Sequence, residues 1–104
     1  MRKGVIEIQG KEYPCRLTMG ALVEMKRLSG VDLSKGNVSF DYELMAQLLY
    51  CCVKSSCRAD GVELPYKSDI ELADVIEPED FVKWQQVNMP TSVSEANDRK
   101  KKGQ

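Results

Sequence analysis

The stretch that most constrains the fold is residues 41–54, DYELMAQLLYCCVK, in which Gln47 is the one strongly polar residue between Leu44 and Val53. Its apolar residues recur at the spacing of one wide helical face. These residues are Leu44, Met45, Leu48, Leu49 and Cys52. The spacing predicts a buried central helix with Ser39 as its N-cap, around which the other elements pack. Its polar positions are predicted to form a narrow seam of Glu43, Gln47, Tyr50 and Lys54.

The length of the chain favours one domain with a modest core. It has 104 residues, of which 42% are hydrophobic and 30% charged. A chain of this size buries roughly 60–65% of its unfolded surface, which is enough for a single core. From residue 90 the composition becomes polar and then basic. We therefore predict one α+β domain over residues 1–89 and a disordered tail over residues 90–104.

A β-hairpin is predicted at the N-terminus, where Val5–Ile8 and Tyr13–Leu17 flank a short polar segment. A turn at Gly10 and Lys11 would put Pro14 at a hydrogen-bonded position, where its missing N–H leaves a ladder bond unmade. A turn at Gln9 and Gly10 avoids this, although glutamine is poorly suited to the positive φ of such a turn. We favour the second register, which places Ile6, Ile8, Tyr13, Cys15 and Leu17 on one face.

Three further helices are predicted on either side of the central one. The first runs from Met19 to Ser29 between an N-cap at Thr18 and a terminating Gly30. Its buried stripe is Ala21, Leu22, Met25 and Leu28. Residues 55–67 show no sustained period and are predicted to form a long connection. A capping box of Ser68 and Glu71 starts a short helix, and Pro78 starts the last one, with Phe81, Trp84 and Val87 as core contacts. The predicted fold is thus an N-terminal β-hairpin packed on a small bundle of about four helices.

The residue types argue against an enzyme. Histidine, the commonest general base, does not occur in the sequence, and the glycines are scattered singly, so no phosphate-binding loop is predicted. Cys51 and Cys52 point about 100° apart on a helix and cannot jointly chelate a metal. We interpret these two with Cys15 and Cys57 as buried, reduced thiols. No catalytic, cofactor-binding or metal-binding residue is predicted, and no cofactor.

Charge and hydropathy suggest where the protein acts. The segment from Met89 onward carries +2 and the residues before it −3, so the folded part lacks the basic balance that nucleic-acid binding needs. No apolar run approaches the roughly 18 residues of a membrane span, and charge interrupts the N-terminus too early for a signal peptide. We expect a cytoplasmic protein with neither membrane nor nucleic acid as a partner.

Three segments resemble the tail assembly chaperones of long-tailed bacteriophages and related gene transfer agents. They are residues 5–22 (VIEIQGKEYPCRLTMGAL), residues 24–30 (EMKRLSG) and residues 48–50 (LLY). The shared pattern is a hairpin with a Gly-Lys turn, a strand running into RLTMGAL, a helix ending in glycine and a helix with LLY. It extends over roughly residues 4–89. After Tyr50 this chain has Cys51, Cys52 and Val53 in place of an Ala-Gly-Leu-like continuation, which leaves the subfamily open.

The resemblance implies a protein that coats the tape measure protein during assembly in the bacterial host cytoplasm. It would keep the long hydrophobic helices of that partner soluble, help recruit tail tube protein, and be absent from the finished virion. Methionine-rich surfaces adapt to varied helical partners, which makes Met19, Met25, Met45 and Tyr50 the candidate partner-binding residues. Methionines at helical spacing also fit an ordinary core.

Two other classes of protein remain open, together with the oligomeric state. A structural tail or head–tail connector protein would share a small α+β fold but remain in purified particles. A small regulatory or nucleic-acid adaptor would show salt-sensitive binding that is lost when residues 100–102 are removed. A homo-oligomer is compatible with each class.

Overall fold

The structure is a computed structural model that describes residues 3–33 and 39–89. Over these residues the chain forms two strands and four helices. They are β1 (Val5–Ile8), β2 (Lys11–Pro14), α1 (Met19–Ser29), α2 (Tyr42–Asp60), α3 (Asp69–Ala73) and α4 (Pro78–Asn88). This order confirms the predicted α+β class, with a hairpin followed by helices. The predicted disordered tail lies outside the described residues.

The hairpin adopts the predicted register. Val5 pairs with Pro14, and Ile8 pairs with Lys11. Gln9 and Gly10 form the turn with φ values of 52° and 80°. The Tyr66 hydroxyl donates a 2.8 Å hydrogen bond to Gln9 Oε1, and this contact helps to hold glutamine in its unfavourable conformation. Of the five residues predicted for the buried face of the hairpin, Ile6, Ile8, Tyr13 and Cys15 are buried, and Leu17 is partly buried against the core.

Helix α1 has the predicted boundaries and caps. Thr18 Oγ1 accepts a 3.0 Å hydrogen bond from the Ala21 N–H, and Gly30 ends the helix at a φ of 80°. Ala21 and Met25 are buried. The prediction for Leu28 is wrong, because its side chain is 49% exposed. The end of α1 passes beside an open cavity between α1 and α2, and Leu28 lines that cavity.

Helix α2 is longer than predicted and begins later. Asp41 is the N-cap, since its Oδ1 accepts a 2.9 Å hydrogen bond from the Leu44 N–H, so the prediction of Ser39 is wrong. The helix then continues to Asp60 and ends at Gly61. The predicted connection over residues 55–67 is therefore wrong for its first six residues. The buried positions of these six residues include Ser55 and Ser56, which are hydrogen-bonded to Thr18 and Arg16. The sequence of this segment therefore shows no apolar period. Gln47 is also buried and does not belong to a solvent-facing seam.

Helices α3 and α4 begin as predicted. The Glu71 N–H donates a 3.2 Å hydrogen bond to Ser68 Oγ, while the Glu71 carboxylate accepts from the Lys67 N–H. At α4, Asp80 accepts a 2.8 Å hydrogen bond from the Glu77 N–H. Phe81 and Trp84 are buried, as predicted.

The prediction for Val87 is wrong, because its side chain is 36% exposed. Asn88 occupies the inward position at the end of α4 and accepts a 2.7 Å hydrogen bond from the Gly4 N–H. Trp84 Nε1–H donates a 2.9 Å hydrogen bond to the Cys15 carbonyl. These two bonds hold α4 against the hairpin, and α2 packs against β2 and the other three helices. The core therefore lies around the inner face of α2.

Candidate partner-binding groove

Across residues 3–33 and 39–89, no three His, Cys, Asp or Glu side chains are placed to hold a metal ion. The four cysteines are free and buried. Burial raises the pKa of Cys51 to about 11, and it raises the pKa values of Cys15, Cys52 and Cys57 as well. The thiols therefore stay protonated at neutral pH, where a protonated thiol is neither a good nucleophile nor a metal ligand.

An apolar groove lies where the first half of α2 meets α3 and the start of α4. Its volume is about 140 Å³. It is lined by Tyr42, Met45, Ala46 and Leu49 from α2, and by Ala73, Ile76, Glu77, Pro78 and Phe81 from the other side. A cavity of about 150 Å³ is large enough for a benzene ring. The α2–α4 groove, as we call it, can therefore hold one large apolar side chain.

The sequence explains why this groove forms. The α2 positions 42, 45, 46 and 49 follow the i, i+3, i+4, i+7 spacing of a helix-packing seam. Small side chains at Ala46 and Ala73 leave space between α2 and α3. Phe81 forms the floor, and its ring centroid lies 5.6 Å from that of Phe40 and 6.1 Å from that of Trp84. The aromatic contacts fix the floor, and the alanines keep the groove open above it.

Two exposed apolar side chains extend the apolar surface of the groove. Tyr42, in the first turn of α2, is 74% exposed, and Ile70 on α3 is 63% exposed. Ile70 lies one helical turn before Ala73 and shares its side of α3. An exposed apolar side chain next to an apolar groove enlarges the contiguous apolar patch, and large patches of this kind mark protein-binding sites. The seam of α2 and these two side chains define the candidate site.

One acidic residue lines the groove, and three others adjoin its lining residues in the chain. Glu77 lines it directly. Asp41 and Glu43 adjoin Tyr42 in the chain, and Asp74 follows Ala73. All four of these carboxylate-bearing residues are exposed. An apolar groove bordered by exposed carboxylates can bury an apolar side chain and attract basic groups beside it.

A second cavity, of about 300 Å³, lies between α1 and α2 and is more polar. It is lined by Glu24, Arg27, Leu28, Tyr50, Cys51 and Lys54. Glu24 is bound by Lys54 at 3.5 Å and by Arg58 at 3.6 Å. The Lys54 ammonium also lies 5.6 Å from the centroid of the Tyr50 ring. Since its charged groups are largely engaged with one another, this cavity is the weaker candidate for binding an apolar partner.

The structure separates the four residues proposed to bind a partner. Met45 lines the α2–α4 groove, and Tyr50 lines the second cavity. Met25 is fully buried in the core, so it has no surface to offer a partner. Met19 is 76% exposed at the start of α1 and lines neither cavity. The four therefore do not form one surface, and the groove residues that sequence reasoning missed include Tyr42 and Ile76.

Comparison with known proteins gives no significant match to any protein-family model, curated protein or solved structure. Within residues 3–33 and 39–89, no helix has the length and apolar character needed to cross a membrane.

Proposed function

We propose that this protein is a non-enzymatic tail assembly chaperone of a long-tailed phage or related particle. It binds helices of the tape measure protein in the α2–α4 groove and helps recruit tail tube protein in the bacterial host cytoplasm. The proposal draws on the resemblance of residues 5–22, 24–30 and 48–50 to such chaperones. The observation that carries it is the open apolar seam on α2 beside the exposed Tyr42 and Ile70.

The physical argument starts from what an amphipathic helix needs in water. Its apolar stripe must be covered, and a groove between helices covers it through side chains spaced one turn apart. The seam of Tyr42, Met45, Ala46 and Leu49 has that spacing and spans about 10 Å at 1.5 Å per residue. One large side chain of the bound helix enters the groove. Tyr42 and Ile70 cover the turns on either side of that anchor.

The decisive test is coexpression with a candidate tape measure protein, identified as the unusually long product encoded beside the tail tube gene. We expect the wild-type chain to raise the soluble fraction of that protein and to copurify with it. Ala46→Trp fills the groove and should abolish both effects. Val23→Trp adds the same side chain at an exposed position of α1, which is 43% exposed and outside the groove, and should leave both unchanged.

The outcomes separate the parts of this proposal. A wild-type chain that neither binds nor solubilises the tape measure protein would rule out the chaperone function. Normal binding by a folded Ala46→Trp variant would place the site elsewhere. Mass spectrometry of purified particles tests the connector alternative, because a chaperone should be missing from them, whereas a structural tail protein should be present in stoichiometric amount.

A further inference from the structure

The segments that supply most of the walls of the α2–α4 groove are rich in acidic residues. These two segments, residues 39–53 and 68–80, contain eight acidic residues and neither lysine nor arginine. The eight are Asp41, Glu43, Asp69, Glu71, Asp74, Glu77, Glu79 and Asp80. The residues before Met89 carry only −3 in total, so the remaining surface is net positive. The negative charge is therefore concentrated in these two segments.

Not all eight carboxylates belong to the groove. Asp69 and Glu71 lie near Tyr50 at the second cavity, and Asp80 lines a separate cavity with Lys83 beside the hairpin turn. Glu77 lines the groove, Asp41 and Glu43 stand on either side of Tyr42 in the chain, and Asp74 follows Ala73. A partner that covers these apolar side chains must bring its own flanking groups close to the carboxylates.

Local structure uses some of these carboxylates but leaves their charge in place. Asp41 caps α2, and Glu71 and Asp80 accept backbone N–H groups. A hydrogen bond from a backbone amide leaves a carboxylate ionised at neutral pH. Glu79 forms an ion pair with Lys83 at 3.6 Å. Within the part of the chain that the structure describes, the other seven form no ion pair. The exposed carboxylates of Asp41, Glu43, Asp74 and Glu77 are thus available to a partner that covers the groove.

We propose that the α2–α4 groove selects a basic amphipathic helix, in which one large apolar anchor is flanked by lysine or arginine. The inference rests on the helix-binding function proposed above and specifies the chemistry of the bound segment. The apolar anchor fills the groove and supplies most of the affinity, while the flanking cations attract the helix to this face and reject acidic helices. A second copy of this chain is disfavoured as the occupant, because a symmetric contact would bring two acidic faces together.

The test uses the full chain and two synthetic helical peptides of equal length with the same leucine stripe. One peptide carries lysine beside the stripe and the other carries glutamate. Isothermal titration calorimetry at low and high salt gives the dissociation constants. We expect the lysine peptide to bind about tenfold or more tightly at low salt, with the difference shrinking at high salt because exposed charges are screened.

Charge-reversal variants test whether the carboxylates beside the groove cause the preference for the lysine peptide. Glu43 and Asp74 are exposed and their side chains cap no helix, so the double variant Glu43→Lys with Asp74→Lys should fold normally and narrow or reverse the preference. The control is Glu7→Lys with Glu63→Lys, which makes the same change in net charge at exposed positions outside the two wall segments. The control should keep the preference for the lysine peptide.

The possible results are distinct. Equal binding of the two peptides at low salt, or tighter binding of the glutamate peptide, would overturn the charge selectivity while the helix-binding function stands. Binding of neither peptide at any salt concentration would overturn both proposals. An equal loss of preference in the control variant would show that net charge, and not the groove, attracts the peptide, and would also overturn the inference.

Discussion

The two halves of α2 are held in different ways. In the C-terminal half, Ser56 Oγ accepts a 2.7 Å hydrogen bond from the Arg16 N–H, and Ser55 Oγ lies 2.7 Å from Thr18 Oγ1. Asp60 accepts two hydrogen bonds from the Arg16 guanidinium, at 3.0 and 2.9 Å. The N-terminal half instead packs through apolar side chains and leaves the α2–α4 groove open. Directional polar contacts fix one half of the helix, and the other half leaves an apolar surface open.

The packing distance agrees with this contrast. At the C-terminal half, a Cβ added to Gly20 of α1 would lie 3.1 Å from Ser55 Oγ, which leaves little space between α1 and α2. At the N-terminal half, the groove has space for a side chain. The C-terminal half of α2 therefore packs closely against α1. The N-terminal half leaves space in the groove, where we propose that the protein binds a helix.

The largest loss of stability is expected from a substitution at the centre of α2, which would disrupt the packing of both halves of the helix. Leu48 lies in the middle of α2 and is fully buried, so Leu48→Asp should abolish folding. A buried unpaired charge costs several kcal/mol against a total stability of about 5–15 kcal/mol. Circular dichroism during heating checks this. Tyr42→Asp, at an exposed position of the same helix, should melt like the wild type. A soluble, cooperatively melting Leu48→Asp protein would contradict the central position of α2.

The second expected effect is a loss of stability at alkaline pH, caused by the buried thiols. Their pKa values are raised in the folded state, so the protonated form favours folding below the unfolded pKa of about 9 and this stabilisation is lost as pH rises further. The Cys51 thiol, with a folded pKa of about 11, should contribute a loss of about 1 kcal/mol by pH 10.

After burial, the nearby carboxylates of Glu24 and Asp69 also raise the pKa of Cys51, and the Lys54 ammonium lowers it. Urea denaturation at pH 7.5 and pH 10 measures the loss of stability, and Cys51→Ala should show a smaller loss than the wild type. Identical pH dependence in the two proteins would contradict a buried, protonated thiol at this position.

Breaking the polar contacts of the C-terminal half should have a moderate effect. Ser56→Ala leaves the Arg16 N–H without its acceptor, which should cost about 1–3 kcal/mol of unfolding free energy. Ser39→Ala is the matched control, because Ser39 is exposed and Asp41 is the N-cap of α2, so it should change stability by less than about 0.5 kcal/mol. Chemical denaturation measures both. Equal stability of the two variants would show that the Ser56 hydrogen bond does not stabilise the C-terminal half of α2, and would contradict the contrast between the two halves.

The smallest effect is expected at the edge of the same contact network. The hydrogen bond from Arg16 lowers the pKa of Asp60 below its usual value of 3.8, so the ionised form favours folding and its contribution is lost as pH falls below that value. Asp60→Asn should therefore lower the melting temperature slightly at pH 7 and less at pH 3. Asp74→Asn, on the exposed end of α3, should show no such change. A constant deficit for Asp60→Asn across this range would contradict the role of its charge.

Sequence reasoning predicted the elements that carry their own local signals. Pro14 selected the hairpin register, Thr18 and Gly30 marked the ends of α1, and Pro78 marked the start of α4. It failed where the partner of a residue lies elsewhere in the chain. The last turns of α2 are buried through serine hydroxyls that bond to Arg16 and Thr18, and a hydrophobic pattern contains no sign of such contacts.

The groove could be predicted only in part. Met45 follows from the periodicity of α2, but Ala73 and Phe81 reach the groove through the placement of α3 and α4. Met25 shows the opposite error, because a methionine at helical spacing was considered for a surface role and lies in the core. Periodicity identifies the apolar face of a helix. It does not say which part of that face the neighbouring elements leave uncovered.

The chain also contains its own optical reporter. Trp84 is the one tryptophan in the sequence; it is fully buried and its indole N–H is bonded to the Cys15 carbonyl. Phe81 stands between this indole and the groove, with its ring centroid 6.1 Å from that of Trp84. Emission from a buried, hydrogen-bonded indole should shift to longer wavelength when α4 separates from the hairpin. The unlabelled protein can therefore report, by its intrinsic fluorescence, whether an occupant of the groove leaves α4 in place.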